Sequence, residues 1–269
     1  MTSTRASLAL VRASWRTSKS YRLSFVLSFA SLVATIIPVY FVASALQPFM
    51  AAKIAGEGSE YFGFVLLGTA MLTLVSPALS SYASAVSGGL SSGFFEALLA
   101  TPTPLPALLA GQTGYGFIWA FARVVLLMTA GALLGVDVHW LRLPEAFVIV
   151  ALVLAAYSGI GLLAAALVVS FRTNAAIPQA LLVLSTLLGG VYFPTTVLPP
   201  VVSPLAEWLP LTPGLRALRQ TLLLGYPVSS VAGDLARLAG LTLACVVAGA
   251  MAMRASLQYA RRAGSLAQY

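Results

Sequence analysis

The sequence predicts an all-α integral membrane protein with six transmembrane helices, and its composition and apolar stretches indicate this directly. Of the 269 residues, 59% are hydrophobic and only 8% are charged, which is outside the range of water-soluble domains. Several stretches approach the roughly 20 apolar residues that a helix needs to cross a bilayer. Because these runs are continuous rather than alternating, they favour a helix bundle over a closed barrel. We expect residues 1–269 to form a single transmembrane domain.

The positive charge is concentrated at the two ends of the chain. The formal net charge is +8, and no interleaved aromatic and basic pattern of a nucleic-acid-binding surface accompanies it. By the positive-inside rule, both termini are predicted to be cytoplasmic, which requires an even number of crossings. The basic residues that carry this prediction are Arg5, Arg12, Arg16, Lys19, Arg22, Arg254, Arg261 and Arg262.

Six apolar segments are predicted to span the membrane, after an amphipathic N-terminal segment. Leu8, Val11 and Trp15 recur at helical spacing opposite basic positions. Residues 1–22 are therefore expected to form an interfacial helix on the cytoplasmic leaflet, with a merely basic tail as the alternative. The six predicted spans are approximately 23–46, 62–85, 117–134, 146–169, 175–193 and 235–253.

Between spans two and three, residues 87–114 contain a segment, GFFEALLATPTPLPALLAG, that cannot cross a bilayer. Gly93 can cap a short helix that places Glu96 near its positive end. Thr103 can cap a second short helix that closes at Gly111. We expect a cytoplasmic, apolar elbow. With no Lys or Arg to hold anionic lipids, contact with another protein is favoured over contact with the membrane.

Residues 191–229, between spans five and six, are predicted to be extracellular and re-entrant. Prolines divide this segment too finely for a pair of spans, so we expect two short helices over 201–208 and 214–224. Helices that do not span are tolerated at membrane depth only against protein or a cavity. We interpret the segment as the exit of a pathway. Its candidate gate residues are Glu207, Trp208, Arg216 and Arg219.

Few ionisable residues are expected inside the membrane. An ion-coupled transporter would need titratable groups there, and Arg123, in the middle of span three, stays charged at physiological pH. Arg123 is interpreted as a structural or snorkelling residue, an interhelical partner, or part of a transport path. Asp234 and Arg237 are expected to pair with each other on span six. His139 lacks the further ligands of a metal site, so no metal is expected.

Three segments carry a resemblance to the ABC-2 family of bacterial exporter permeases, and it covers nearly the whole chain. They are the FFEALLATPTPLPALLAG elbow, the GGVYFPTTVLPP ending of span five, and EWLPLTPGLRALRQTLLLG in the re-entrant segment. The resemblance implies a multi-pass protein of the bacterial plasma (inner) membrane and a second permease chain, identical or related. It also implies that the elbow contacts a separate cytoplasmic ABC ATPase, through Phe94, Phe95, Glu96, Leu98 and Leu99.

The chain itself is not expected to be an enzyme. A phosphate-binding loop needs a glycine-rich turn followed by Lys, and neither Lys19 nor Lys53 follows that pattern. ATP and Mg would therefore be bound by the partner ATPase, with no cofactor on this chain. The expected function is ATP-driven export of an apolar or amphiphilic substrate, such as a drug, a lipid or a lipid-linked glycan. An ion-coupled secondary transporter is the alternative. A purely structural membrane protein is a third alternative. The Gly131 and Gly135 pair marks close helix packing in any bundle and does not discriminate between these functions.

Overall fold

The computed structural model describes residues 22–91, 105–171 and 176–262, and the regular elements in these ranges are all helical. The predicted interfacial helix over 1–21 and residues 92–104 of the elbow lie outside the described residues. Short 3₁₀ turns at Trp140–Arg142, Thr195–Val197 and Val228–Val231 connect some of the α-helices. The α-helices are α1 Arg22–Ile54, α2 Tyr61–Ser91, α3 Leu105–Leu133, α4 Leu143–Phe171, α5 Ala176–Leu188, α6 Ser203–Ala206, α7 Leu211–Leu222 and α8 Ala232–Arg262.

Five of the described helices, α1, α2, α3, α4 and α8, are long and apolar enough to cross a membrane. This confirms the all-α membrane class and five of the six predicted spans. The sixth corresponds to α5, which has 13 residues and a length of about 20 Å at 1.5 Å per residue. It ends before Phe193 because Gly190 adopts a positive φ of 76°, a left-handed conformation that terminates helices. A sixth crossing therefore stays a prediction.

Helix α3 begins earlier than the sequence analysis expected. The predicted second short helix of the elbow, closing at Gly111, is wrong, because α3 runs without interruption from Leu105 to Leu133. Pro106 lies in the first turn, where a missing N–H costs no helical hydrogen bond. A single glycine costs a helix about 1 kcal/mol but does not end it. Residues 92–104 of the elbow lie beyond the described part of the chain.

Helix α2 is the central helix of the described bundle. In its most hydrophobic stretch, 72% of the residues are buried, and it packs against α1, α3 and α4. Glycines on α4 permit close approach on two sides. A Cβ on Gly159 would lie 2.5 Å from the carbonyl oxygen of Cys245 in α8, and one on Gly161 would lie 2.6 Å from the carbonyl oxygen of Ala78 in α2. Backbone contact through glycine is typical of membrane helix pairs.

The connections after α1, after α3 and between α5 and α8 meet at one end of the bundle, which we call the capped end. The backbone N–H of His139 donates to the carbonyl of Leu222 at 2.9 Å, and Gln220 donates to the carbonyl of Gly56 at 3.1 Å. The two short helices expected in 191–229 are present as α6 and α7. They join these connections into a single layer over the bundle.

Candidate functional site

Helix α7 lies across the capped end and is almost entirely enclosed by protein. Ten of its twelve residues are buried, and its leucines recur at helical spacing to form an apolar stripe along one face. Gly214 allows the helix to approach α4 closely, since a Cβ there would lie 2.3 Å from the Cγ2 atom of Val153. The stripe residues, all buried, are Leu211, Leu215, Leu218 and Leu222.

Arg219 of α7 is buried, with 1% of its side chain exposed. Its Nη1 atom donates to the carboxylate of Glu57 at 2.9 Å. Its Nη2 atom donates to the carbonyls of Phe64 at 2.9 Å and Val191 at 3.0 Å, and Nε donates to Phe64 at 3.2 Å. The planar fork of a guanidinium suits this multiple pairing. Arg219 therefore joins α7 to the α1–α2 connection, to α2 and to the segment after α5.

The pocket around Arg219 depends on a small residue and an aromatic ring. A Cβ added to Gly68 would lie 3.1 Å from Nη2 of Arg219 and 2.5 Å from the carbonyl oxygen of Val191, so no larger residue fits. The guanidinium carbon lies 3.3 Å from the ring centroid of Phe64, a cation–π contact. Burial lowers the pKa of Arg219 to about 10, although Glu57 opposes that shift. Arg219 is still charged at neutral pH.

A second set of ion pairs lies beside α7. Arg216 pairs with Glu207 and, at 2.9 Å, with Asp234 of α8. Arg237 of α8 also pairs with Glu207. The prediction that Asp234 pairs with Arg237 is therefore wrong, because Asp234 turns to α7 and Arg237 to the residue that follows α6. Glu207 and Arg216, both predicted gate residues, are in direct contact.

The two sets of ion pairs are balanced in charge. Three carboxylates, from Glu57, Glu207 and Asp234, face three guanidinium groups, from Arg216, Arg219 and Arg237. Opposite charges in contact reduce the cost of holding each group away from water. The fourth predicted gate residue, Trp208, is 74% exposed and takes no part in these pairs.

Arg123 lies on the flank of α3 and is partly buried. Its guanidinium carbon lies 5.7 Å from the ring centroid of Trp119, one turn earlier. Its Nε atom is buried without a hydrogen-bond partner. The contact with Trp119 offers the charge some compensation within the same helix, and the choice between structural, interhelical and pathway roles stays open.

An apolar cavity of about 150 Å³ lies beneath the capped end. Its walls come from α2, α3, α4 and α7, and every lining residue is of an apolar type. Arg123 and the ion pairs of the capped end do not line it. Within the described residues, no group of three or more His, Cys, Asp or Glu side chains could hold a metal ion.

Two features of the site, Glu57 and the apolar cavity, were not predicted from the sequence. Because the chain has only seven acidic residues, the sequence limits the possible partners of Arg219 to a few carboxylates. It does not show that Glu57 is the one that pairs with it. The cavity has no polar signal in the sequence. The predicted ATPase contact lies outside the described residues, at Phe94, Phe95, Glu96, Leu98 and Leu99.

Comparison with known proteins gives two findings. Residues 7–223 match the family profile described as ABC-2 type transporter. The chain is also 33% identical over 149 residues to the inner membrane transport permease YadH of Escherichia coli strain K12, with the same figures for the proteins of that name from Escherichia coli O157:H7 and Shigella flexneri. That alignment covers 54% of this chain and 56% of the relative, so the chain spans about half the length of the curated relatives it matches. Since the family profile covers most of the chain, this protein belongs to the ABC-2 type transporter family.

Proposed function

We propose that this chain is the permease subunit of an ATP-driven exporter. The observation that carries the proposal is the family match over residues 7–223, which includes α1 to α7 and the elbow. The five long apolar helices supply a membrane domain. The similarity to permeases named for transport across the inner membrane supports the same role and a location in the bacterial inner membrane.

The proposed orientation places both termini in the cytoplasm and the capped end outside. The basic residues near the two ends of the chain support it through the positive-inside rule. In this orientation the elbow is cytoplasmic, and Glu96 with its apolar neighbours contacts a separate ABC ATPase that binds ATP and Mg. Closure of two such ATPases would push the elbows, and rigid helices would transmit the movement to the capped end.

A second permease chain, identical or related, completes the proposed path. Large apolar side chains exposed on α1 and α5 support this proposal, because each helix offers an apolar face to lipid or to another chain. They include Ile37, Phe41, Val42, Phe49, Val183, Leu184 and Leu187. The proposed substrate is apolar or amphiphilic, such as a drug, a lipid or a lipid-linked glycan.

The ion-coupled alternative gains no support from the described spans. Arg123 is the charged residue nearest the middle of a described span, and a guanidinium does not release its proton at physiological pH. Transport that follows a proton or sodium gradient in vesicles without ATP would favour this alternative.

Co-purification with candidate ABC ATPases from the source bacterium tests the proposal. We expect the tagged wild-type permease to retain the ATPase during purification. In proteoliposomes, the rate of ATP hydrolysis by the ATPase should differ with and without the permease. Glu96→Arg should remove most of the bound ATPase while the permease stays folded. The ATPase surface that accommodates the negative charge of Glu96 would repel an arginine at the same position. Glu60→Arg, at the capped end, is the matched control. Failure of the wild-type chain to bind the ATPase would contradict the exporter proposal, and equal binding by both variants would contradict the role of Glu96.

A further inference from the structure

The cavity beneath α7 has the size and lining of a site for a hydrocarbon segment. It has a volume of about 150 Å³, which is the size of an enclosed apolar cavity that accepts a benzene-sized ligand. Water gains no hydrogen bonds there, because a buried water needs two to four polar partners. Met71, Leu74, Val124 and Leu218 are among the residues that form its walls.

The mouth of the cavity can be located from the residues of α4. Leu143 and Phe147 line the cavity and are also 46% and 63% exposed. Both belong to the helix segment Trp140–Ser170, which is apolar enough to lie in a membrane. A side chain that borders the cavity and is also exposed marks its opening, so the cavity opens sideways, between membrane helices. The medium that meets it is the acyl chains of the bilayer.

A cationic side chain is adjacent in sequence to a residue at the mouth of the cavity. Arg142 immediately precedes Leu143, and 34% of its side chain is exposed. Its Nη1 atom pairs with Glu145 at 2.8 Å, while a guanidinium carries five N–H donors. Phosphate is a preferred partner of such a group. An apolar slot beside an exposed arginine therefore matches a molecule with a hydrocarbon chain and a phosphate.

We propose that the cavity holds a segment of one acyl chain of a membrane phospholipid, about six carbon atoms long by comparison with benzene, with the headgroup phosphate beside Arg142. The lipid enters between α3 and α4 and wedges below α7, in contact with Leu218 and Leu222. It thereby supports the capped end from the membrane side. The site takes a resident lipid, and it is separate from the ion pairs around Arg219.

Photo-crosslinking tests this site in the full chain. The permease is reconstituted in vesicles of phosphatidylethanolamine and phosphatidylglycerol in which a tenth of the phosphatidylglycerol carries a diazirine on one acyl chain. We expect labelled peptides to be concentrated at residues 121–128 and 143–150, several-fold above the exposed surface of α8. Uniform labelling of the exposed apolar surfaces would overturn the proposal.

Two neighbouring valines provide the matched variants. Val124 lines the cavity, whereas Val125 is 59% exposed and does not line it. Val124→Trp should reduce the labelling several-fold by filling the cavity, and Val125→Trp should leave it unchanged. Met128→Phe, a smaller filling change, replaces Val124→Trp if that variant fails to fold. Equal labelling in filled and control variants would contradict the acyl-chain site.

Arg142→Gln tests the headgroup contact in the same vesicles. It should lower labelling by the phosphatidylglycerol probe about twofold or more, because the phosphate loses its cationic partner. Unchanged labelling would overturn the proposed place of the phosphate, while the response to Val124→Trp would still decide the acyl-chain site.

Discussion

Two short helices of similar length, α5 and α7, show opposite relations between composition and burial. Helix α5 is apolar, yet of its side chains that the structure describes, only Pro178 and Ser185 are buried. Helix α7 contains two arginines, and ten of its twelve residues are buried, Arg219 among them. In a water-soluble protein the opposite arrangement would be expected.

The difference follows from the solvent of a membrane protein. Lipid chains are as apolar as leucine, so an apolar helix such as α5 gains little by moving from lipid into protein. A charged group held away from water gains much, because only protein can supply its partners there. Helix α7 is therefore enclosed because Arg219 requires Glu57 and the carbonyls of Phe64 and Val191. The segment that follows α5, which includes Gly190, closes over Arg219 through the carbonyl of Val191.

The largest expected effect comes from removing the partner of Arg219. Glu57→Ala should destabilise the fold by about 3–5 kcal/mol, because it leaves a buried charge unpaired. Thermal unfolding of the purified chain in detergent would measure this. Glu60→Ala is the control, since Glu60 is exposed. Equal unfolding temperatures for the two variants would show that α7 is not held by this pair.

A smaller effect is expected when one leucine is truncated to alanine on α7 and, in a separate variant, on α5. Leu215 of α7 is 1% exposed and Leu187 of α5 is 53% exposed. Leu215→Ala should cost about 2–4 kcal/mol through a cavity in packed protein, and Leu187→Ala should stay within about 0.5 kcal/mol. Denaturant unfolding of the purified protein, in the assembly state that it adopts in detergent, compares them. A large loss at Leu187 would mean that α5 is already covered by protein, as a second permease chain would do.

The smallest of the three effects is expected from replacing the glycine that lets α8 pack closely against α4. Helix α8 exposes Leu243, Val247 and Met251, but its backbone contacts Gly159 of α4. Gly159→Ala should cost about 1–3 kcal/mol, since its Cβ would press on the backbone of Cys245. Gly240→Ala adds a methyl group where nothing lies within 4 Å and should be neutral or slightly stabilising. Similar losses in both variants would argue against close packing as the cause.

The site illustrates how far the sequence can be interpreted. The leucine stripe of α7 was predictable because burial of one helical face leaves a period in the sequence. The partners of its arginines were not, because Glu57 is 162 residues from Arg219 and no local pattern joins them. The wrong Asp234–Arg237 pair has the same origin. Spacing along one helix suggested a contact, and competing partners from α7 and from Glu207 displaced it.

The sequence by itself determined the membrane class, the five long helices, the two short helices of the capped end and the family resemblance. These properties depend on local composition, periodicity and proline placement, all of which act within a few turns. The tertiary structure alone decided that α2 is central, that Arg219 is enclosed with Glu57, and that an apolar cavity lies between α2, α3, α4 and α7. In uniformly apolar helices all faces look alike in sequence, so packing, through glycine contacts and buried charge, decides which of them meet.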